Sequence, residues 1–206
     1  MKIYTLMLGE LQTNCYLWAD EATGNAMVID APDSADRIIE FADNHGLKIT
    51  DIIITHGHFD HILALSELKE KTGARLSVFE KTVPFLSNSS LNLAYHMGME
   101  CESVEADALL CDGDEIDFYG NKIKVINTPG HTSDSICLYA DDTLISGDTL
   151  FCRSVGRWDF PTGNMQEEIR SIKEILFSLP DSTKVFPGHG AATTIGEERR
   201  GNPYLI

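Results

Sequence analysis

No C-x-x-C pair occurs in this chain. Its five cysteines, Cys15, Cys101, Cys111, Cys137 and Cys152, are odd in number and scattered, which excludes a zinc knuckle and offers no disulfide framework. Buried free thiols in a reducing compartment are the expectation. Positive charge is scarce as well: 16 Lys and Arg stand against 32 Asp and Glu, a formal net charge of −16. A protein that grips nucleic-acid backbones needs a basic face, and an anionic membrane surface repels an acidic chain. Neither nucleic acid nor membrane is therefore expected as a partner. Long hydrophobic runs are also missing. No stretch approaches the ~20 apolar residues needed to span a bilayer, and Met1-Lys2-Ile3-Tyr4-Thr5 enters a strand-like pattern without the apolar core of a secretion signal. A cytoplasmic location is expected. There is no linker, low-complexity tract or short-period repeat.

What remains is ordinary globular material. With 206 residues, 43% of them hydrophobic, one core suffices, and a single domain over 1–206 is expected. Residues 2–8 and 14–19 read as strands, and a turn at Ala22-Thr23-Gly24-Asn25 leads into a third at 26–30. Pro32-Asp33-Ser34 opens a helix that Gly46 stops. A strand at 51–55, a helix ending at Gly73 and a strand at 76–79 make a β-α-β unit. Residues 80–112 read as a partly helical insertion, with Pro84 able to open a helix. Strands follow at 115–119, 122–127, 135–139 and 143–146, with Gly120-Asn121 as a hairpin turn. A helix over 164–178 is capped at Asn164 and stopped by Pro180. A short strand at 184–186 and a short helix capped near Thr194 complete the chain. Two packed sheets with helices outside suit this order.

The chemistry is concentrated at strand ends. His56-Gly57-His58-Phe59-Asp60-His61 puts three imidazoles and a carboxylate into one short loop after Ile52-Ile53-Ile54-Thr55. Such side chains are good ligands for borderline divalent cations. The same event recurs three times: an apolar strand ends, and His131, Asp148 or His189 sits just beyond it, behind Pro129-Gly130, Gly147 and Pro187-Gly188. Loops at strand ends are where rigid scaffolds present functional groups. Five of the seven histidines fall in these positions and no cysteine does. His45, at a helix end, and His96, in the insertion, read as surface or packing residues. Seven donors exceed the four positions of one tetrahedral zinc and suit two ions that share a hydroxide.

Thr55-His56-Gly57-His58-Phe59-Asp60-His61, Pro129-Gly130-His131-Thr132, Ser146-Gly147-Asp148-Thr149 and Pro187-Gly188-His189-Gly190 resemble the signature motifs of the metallo-β-lactamase superfamily, in the right order along nearly the whole chain. The resemblance implies an αββα sandwich: two packed mixed β-sheets with helices on the outer faces. It assigns His56, His58 and His131 to one divalent metal ion and Asp60, His61 and His189 to a second, with Asp148 bridging. Zinc is the expected ion, with iron or manganese as alternatives. Within the superfamily the chain is most similar to short, single-domain relatives of glyoxalase II, the hydroxyacylglutathione hydrolases. Gly156-Arg157-Trp158-Asp159-Phe160-Pro161 is similar to their G-R-S-D-F-P segment. This likeness makes Arg157 and Trp158 candidate substrate contacts, with Asp159 replacing an aromatic contact of the full-length enzymes.

The implied reaction is hydrolysis of a small-molecule thioester, of the S-2-hydroxyacylglutathione type, by a metal-bound hydroxide. Asp148 would hold both ions, and Asp60 would ligate and orient its neighbours. A second reading also rests on resemblance: Gly156-Arg157-Trp158-Asp159-Phe160 is similar to the G-R-x-D-F segment of persulfide dioxygenases, which implies one iron held by His56, His131 and Asp148, a facial set whose open positions suit oxygen chemistry. A lactonase or β-lactamase is disfavoured, because many β-lactamases of this fold use a cysteine ligand that is absent here. A non-catalytic metal-binding module is a third reading, set against the complete set of seven donors. A monomer or homodimer is expected.

Overall fold

The computed structural model describes residues 1–99 and 101–205. Its contacts divide into two compact units: Met1–Leu110 with Phe118–Gly120, and Cys111–Asp117 with Asn121–Ile206.

The first unit carries a six-stranded mixed sheet in the order β1-β2-β3-β4-β5-β6. Strands β1 (Lys2–Leu8), β2 (Thr13–Asp20) and β3 (Asn25–Ile29) form an antiparallel meander. Strands β4 (Lys48–Ile53), β5 (Arg75–Phe79) and β6 (Ala108–Leu110) continue it in parallel with β3. Each parallel step needs a crossover. The first is α1 (Ala35–Asn44), which buries Ala35, Ile38 and Ala42 at helical spacing. Gly46 ends it in the left-handed conformation (φ 67°), and Leu47 N–H returns to Ala42 C=O at 2.9 Å, as glycine at such a stop allows. Ser34 occupies the cap position, but its side chain makes no cap bond. The second crossover is α2 (Phe59–Ile62) followed by α3 (Leu65–Thr72), stopped at Gly73 (φ 64°). Ile38, Leu65, Leu68, Val28, Ile52 and Leu76 join one apolar cluster, where each buried aliphatic side chain contributes about 1.5–3 kcal/mol. The insertion contains 3₁₀ turns at Glu80–Leu86 and Ala94–Met97. Pro84 lies within the first of these rather than opening an α-helix.

The second unit carries another six-stranded mixed sheet, built from β7 (Glu115–Phe118), β8 (Asn121–Asn127), β9 (Ile136–Ala140) and β10 (Thr143–Gly147). A small ribbon, β11 (Leu150–Phe151) with β12 (Ser154–Val155), follows. Next comes α4 (Met165–Arg170), which runs on through a wider π-type turn (Ser171–Ile175) and a 3₁₀ turn to Ser178. Then β13 (Lys184–Pro187) and β14 (Thr193–Thr194) extend the sheet, and α5 (Ile195–Gly201) closes the chain. The sheet order is β14-β13-β10-β9-β8-β7. The β7–β8 turn is centred on Tyr119-Gly120, both left-handed (φ 51° and 86°), one residue earlier than the Gly-Asn pair suggests. Two left-handed central residues match the twist of the flanking strands. Asn164 caps α4 by accepting from Gln166 N–H and Glu167 N–H, and Thr194 caps α5 through Glu197 N–H.

Strand direction decides where the exits lie. β3 and β4 run in parallel, so Asp30 and the 54–56 segment leave the first sheet at the same edge. In the second sheet β10 is parallel to β13 and antiparallel to β9, which is antiparallel to β8. The ends of β8, β10 and β13 therefore share one edge, and His131, Asp148 and His189 follow these three ends.

Candidate functional site

In the first unit the hexapeptide folds as a bend leading into α2. His56 and His61 are fully buried and His58 almost so. His56 Nε2 lies 3.1 Å from His58 Nδ1, and Thr55 Oγ1 contacts His56 Nδ1 at 3.2 Å. Gly57 is required by packing rather than by its backbone angles: a Cβ there would stand 2.3 Å from Cβ of Phe85. Phe59 N–H donates to Asn92 C=O (2.8 Å), so the insertion supports the loop directly.

Asp30, one residue past β3, holds the hexapeptide from behind. Its carboxylate accepts from Thr55 N–H (2.7 Å), Thr55 Oγ1 (2.8 Å) and His61 Nδ1 (2.8 Å), and it is 1% exposed. A histidine whose Nδ1–H donates to a carboxylate presents Nε2 as a lone-pair donor. That Nε2 faces Asp60 Oδ2 at 3.6 Å, and the same oxygen accepts from Thr13 Oγ1 at 3.0 Å. Sequence reasoning missed both Asp30 and Thr13. Asp30 joins the strand-exit pattern of the other donors only because β3 ends at Ile29, whereas the sequence pattern places Asp30 inside a strand at 26–30.

In the second unit His131, Asp148 and His189 come together. Asp148 Oδ2 is 3.6 Å from His131 Nε2 and 3.5 Å from His189 Nε2. Gly188 N–H donates to Gly147 C=O (2.8 Å), and Thr128 and Thr149 share a 2.9 Å hydroxyl contact, so the three exits are tied to one another. His131 Nδ1–H donates to Arg157 C=O (2.7 Å), and its own N–H donates to Glu168 Oε2 (2.7 Å). Burial pushes the Glu168 carboxyl up to about 9. Glu168 is a third residue that sequence reasoning missed.

Lone-pair spacing tests whether these side chains fit metal ions. Tetrahedral bonds of about 2.0–2.1 Å put neighbouring ligand atoms roughly 3.3 Å apart. The separations within the two donor groups are 3.1 Å (His56–His58), 3.6 Å (His61–Asp60), 3.6 Å (His131–Asp148) and 3.5 Å (His189–Asp148). The nitrogen and oxygen donors suit zinc and also iron or manganese.

The remaining predicted site residues border a cleft of about 380 Å³ between Ser154 and Asp159 that Tyr204 also lines. Trp158 packs against the apolar cluster of this unit. Arg157 is mostly exposed and makes a two-pronged pair with Asp159 (2.9 and 2.8 Å), its guanidinium lying 4.1 Å over the Phe160 ring. The Arg157 partner holds the Asp159 carboxyl below its usual value. His45 and His96 stay apart from the donors: His45 Nδ1 contacts Phe41 C=O at 2.8 Å beside Tyr4, and His96 is exposed next to Tyr95. The thiols of Cys15 and Cys137 are buried, and burial pushes Cys137 up to about 12.

Comparison with known proteins bears on the family and the fold. The model of the metallo-β-lactamase superfamily matches residues 8–189. The hydroxyacylglutathione hydrolase GloC of Haemophilus influenzae is 33% identical, covering 100% of this chain and 98% of its own. Among solved structures, the B3 metallo-β-lactamase BLEG-1 is 31% identical with a TM-score of 0.95, each chain covered completely. ETHE1 from Myxococcus xanthus is 34% identical with a TM-score of 0.81, over 98% of this chain and 84% of that one. TTHA1623 in a di-iron-bound form is 32% identical with a TM-score of 0.87, over 98% of this chain and all of that one. With a six-stranded mixed sheet in each unit and the family match over most of its length, the chain belongs to the metallo-β-lactamase superfamily.

Proposed function

We propose that this protein is a metal-dependent hydrolase of small-molecule thioesters. The observation that carries the reading is the pair of preorganised donor groups, His56, His58, Asp60 and His61 in one unit and His131, Asp148 and His189 in the other, each spaced for chelation. His56, His58 and His131 would hold one divalent ion, Asp60, His61 and His189 a second, and Asp148 both. When bound, such ions supply a water ionised near neutral pH and a positive centre for the charge that develops on a carbonyl oxygen. The chain's own residues orient and select. Asp30 keeps His61 in the tautomer that offers Nε2, Arg157 C=O does the same for His131, and Thr13 steadies Asp60. A thiolate leaves without a proton, so no general acid is needed at the sulfur. The cleft at Arg157 and Trp158 receives the thiol portion. Because Asp159 engages the Arg157 charge, the cleft offers little net attraction to an anionic thiol.

The test is metal content per chain together with hydrolysis of S-lactoylglutathione and of a lactoyl thioester of a neutral thiol. Two ions per chain and turnover lost on chelation are expected. Full activity in metal-free protein would sink the reading. A second reading, a one-iron persulfide dioxygenase using His56, His131 and Asp148, is kept because the likeness to ETHE1 equals that to GloC, 34% against 33% identity. One iron per chain with oxygen uptake on glutathione persulfide would establish it instead.

A further inference from the structure

Glu168 lies on α4 with no solvent exposure. Its two oxygens accept from different stretches of main chain: Oε2 from His131 N–H (2.7 Å) and Oε1 from Gly156 N–H (3.1 Å). One residue beyond Gly156, the carbonyl of Arg157 accepts the Nδ1–H of His131 (2.7 Å). Glu168 thus grips both the backbone of His131 and the backbone segment that carries the acceptor for the His131 ring. The surroundings leave no room for drift. A Cβ on Gly130 would stand 2.2 Å from Oε2 of Glu168, and one on Gly156 would stand 2.0 Å from the Asp148 carbonyl oxygen and 2.7 Å from Oε1. Asn164 N–H to Gly130 C=O and Ser171 Oγ to Pro129 C=O, both 2.7 Å, fasten the same helix to the same loop.

We propose that Glu168 is a positioning residue that fixes the imidazole of His131 and couples it to the Gly156–Trp158 wall of the cleft. The proposal rests on reading His131 as a ligand and is independent of which thioester is cleaved. An apolar residue of similar size would remove an acceptor from both N–H groups. Glutamine would accept one and turn its NH₂ toward the other. Residues that orient a ligand in this way are worth about 10–100-fold in metal affinity.

The experiment uses the zinc-loaded full chain, ¹⁵N-labelled at histidine. It reads solvent exchange of the His131 Nδ1–H proton and the rate of zinc transfer to a chelator. In E168Q and E168L that proton should exchange at least about tenfold faster, and zinc should leave about 10–100-fold faster. E198Q is the control. It alters another buried carboxylate of the same unit, which accepts from Arg153 N–H, Thr193 Oγ1 and Asn202 Nδ2. It should lower the melting temperature while leaving the His131 proton unchanged. Wild-type exchange and zinc release in E168Q overturn the proposal, as does an equal effect of E198Q. Should E168L not fold, the isosteric E168Q decides. Should the wild type bind no zinc, the metal reading fails, and the same proton in the metal-free chain still decides the role of Glu168.

Discussion

Asp30 shows how much can depend on a single side chain buried behind the donor loop. Three donors, from Thr55 and His61, converge on its two buried oxygens. Asp30→Ala leaves Thr55 N–H without its acceptor, a loss of about 1–3 kcal/mol, and frees the His61 ring. Denaturant unfolding should show that loss, and metal competition should show about 10–100-fold weaker binding. Asp148→Ala should act differently. It removes the oxygen shared by His131 and His189, so metal content and turnover fall together, turnover by about a hundredfold or more, while the circular dichroism stays native. The seven candidate donors were readable because imidazoles and carboxylates behind apolar strands serve no packing purpose. Asp30 and Glu168 were not. A lone aspartate after a strand commonly ends it, and Glu168 inverts the helix pattern: it is buried while Met165, one turn earlier, is 51% exposed.

At the scale of elements, the strand exits owe their precision to close packing behind them. Gly57 against Phe85 is the sharpest case. Gly57→Ala should cost about 1–3 kcal/mol by overpacking, and Phe85→Leu should relieve part of it; a double-mutant cycle with a coupling near zero would refute the contact. Strand and helix order was readable from periodicity and stop signals, including the parallel β4–β5 pair and the caps at Asn164 and Thr194. Pairs too short for periodicity were not: β11, β12 and β14 have two residues each. Strand β4 begins at Lys48, three residues before the expected start at 51, because Asn25 and Ala26 pair there with Lys48 and Ile49. The insertion over 80–112 gave a helix signal at Pro84 that the structure resolves as a 3₁₀ turn.

For the whole molecule, a net charge of −16 predicts no retention on DNA or heparin at low salt, where basic proteins bind most strongly. No helix among the described residues is long and apolar enough to cross a membrane. Thiol accessibility gives a second check on the fold. The expectation of buried thiols holds for Cys15 and Cys137 alone: Cys111 and Cys152 are exposed, and Cys101 is partly buried with its thiol pushed up to about 11. Labelling at pH 8 should modify two thiols quickly and a third slowly, reaching the last pair only on unfolding; early labelling of Cys137 would contradict its packing. The local crowding of the hexapeptide has a consequence of its own. Four of the seven donors lie within six consecutive residues, so they remain near one another when the chain is unfolded. A cation stabilises a protein only by its preference for the native state, and affinity for the denatured ensemble subtracts from the gain. At a hundredfold excess over the native dissociation constant, metal should therefore raise stability by less than the ~2.7 kcal/mol that a native-only site delivers, and a peptide spanning residues 51–66 should capture zinc unaided.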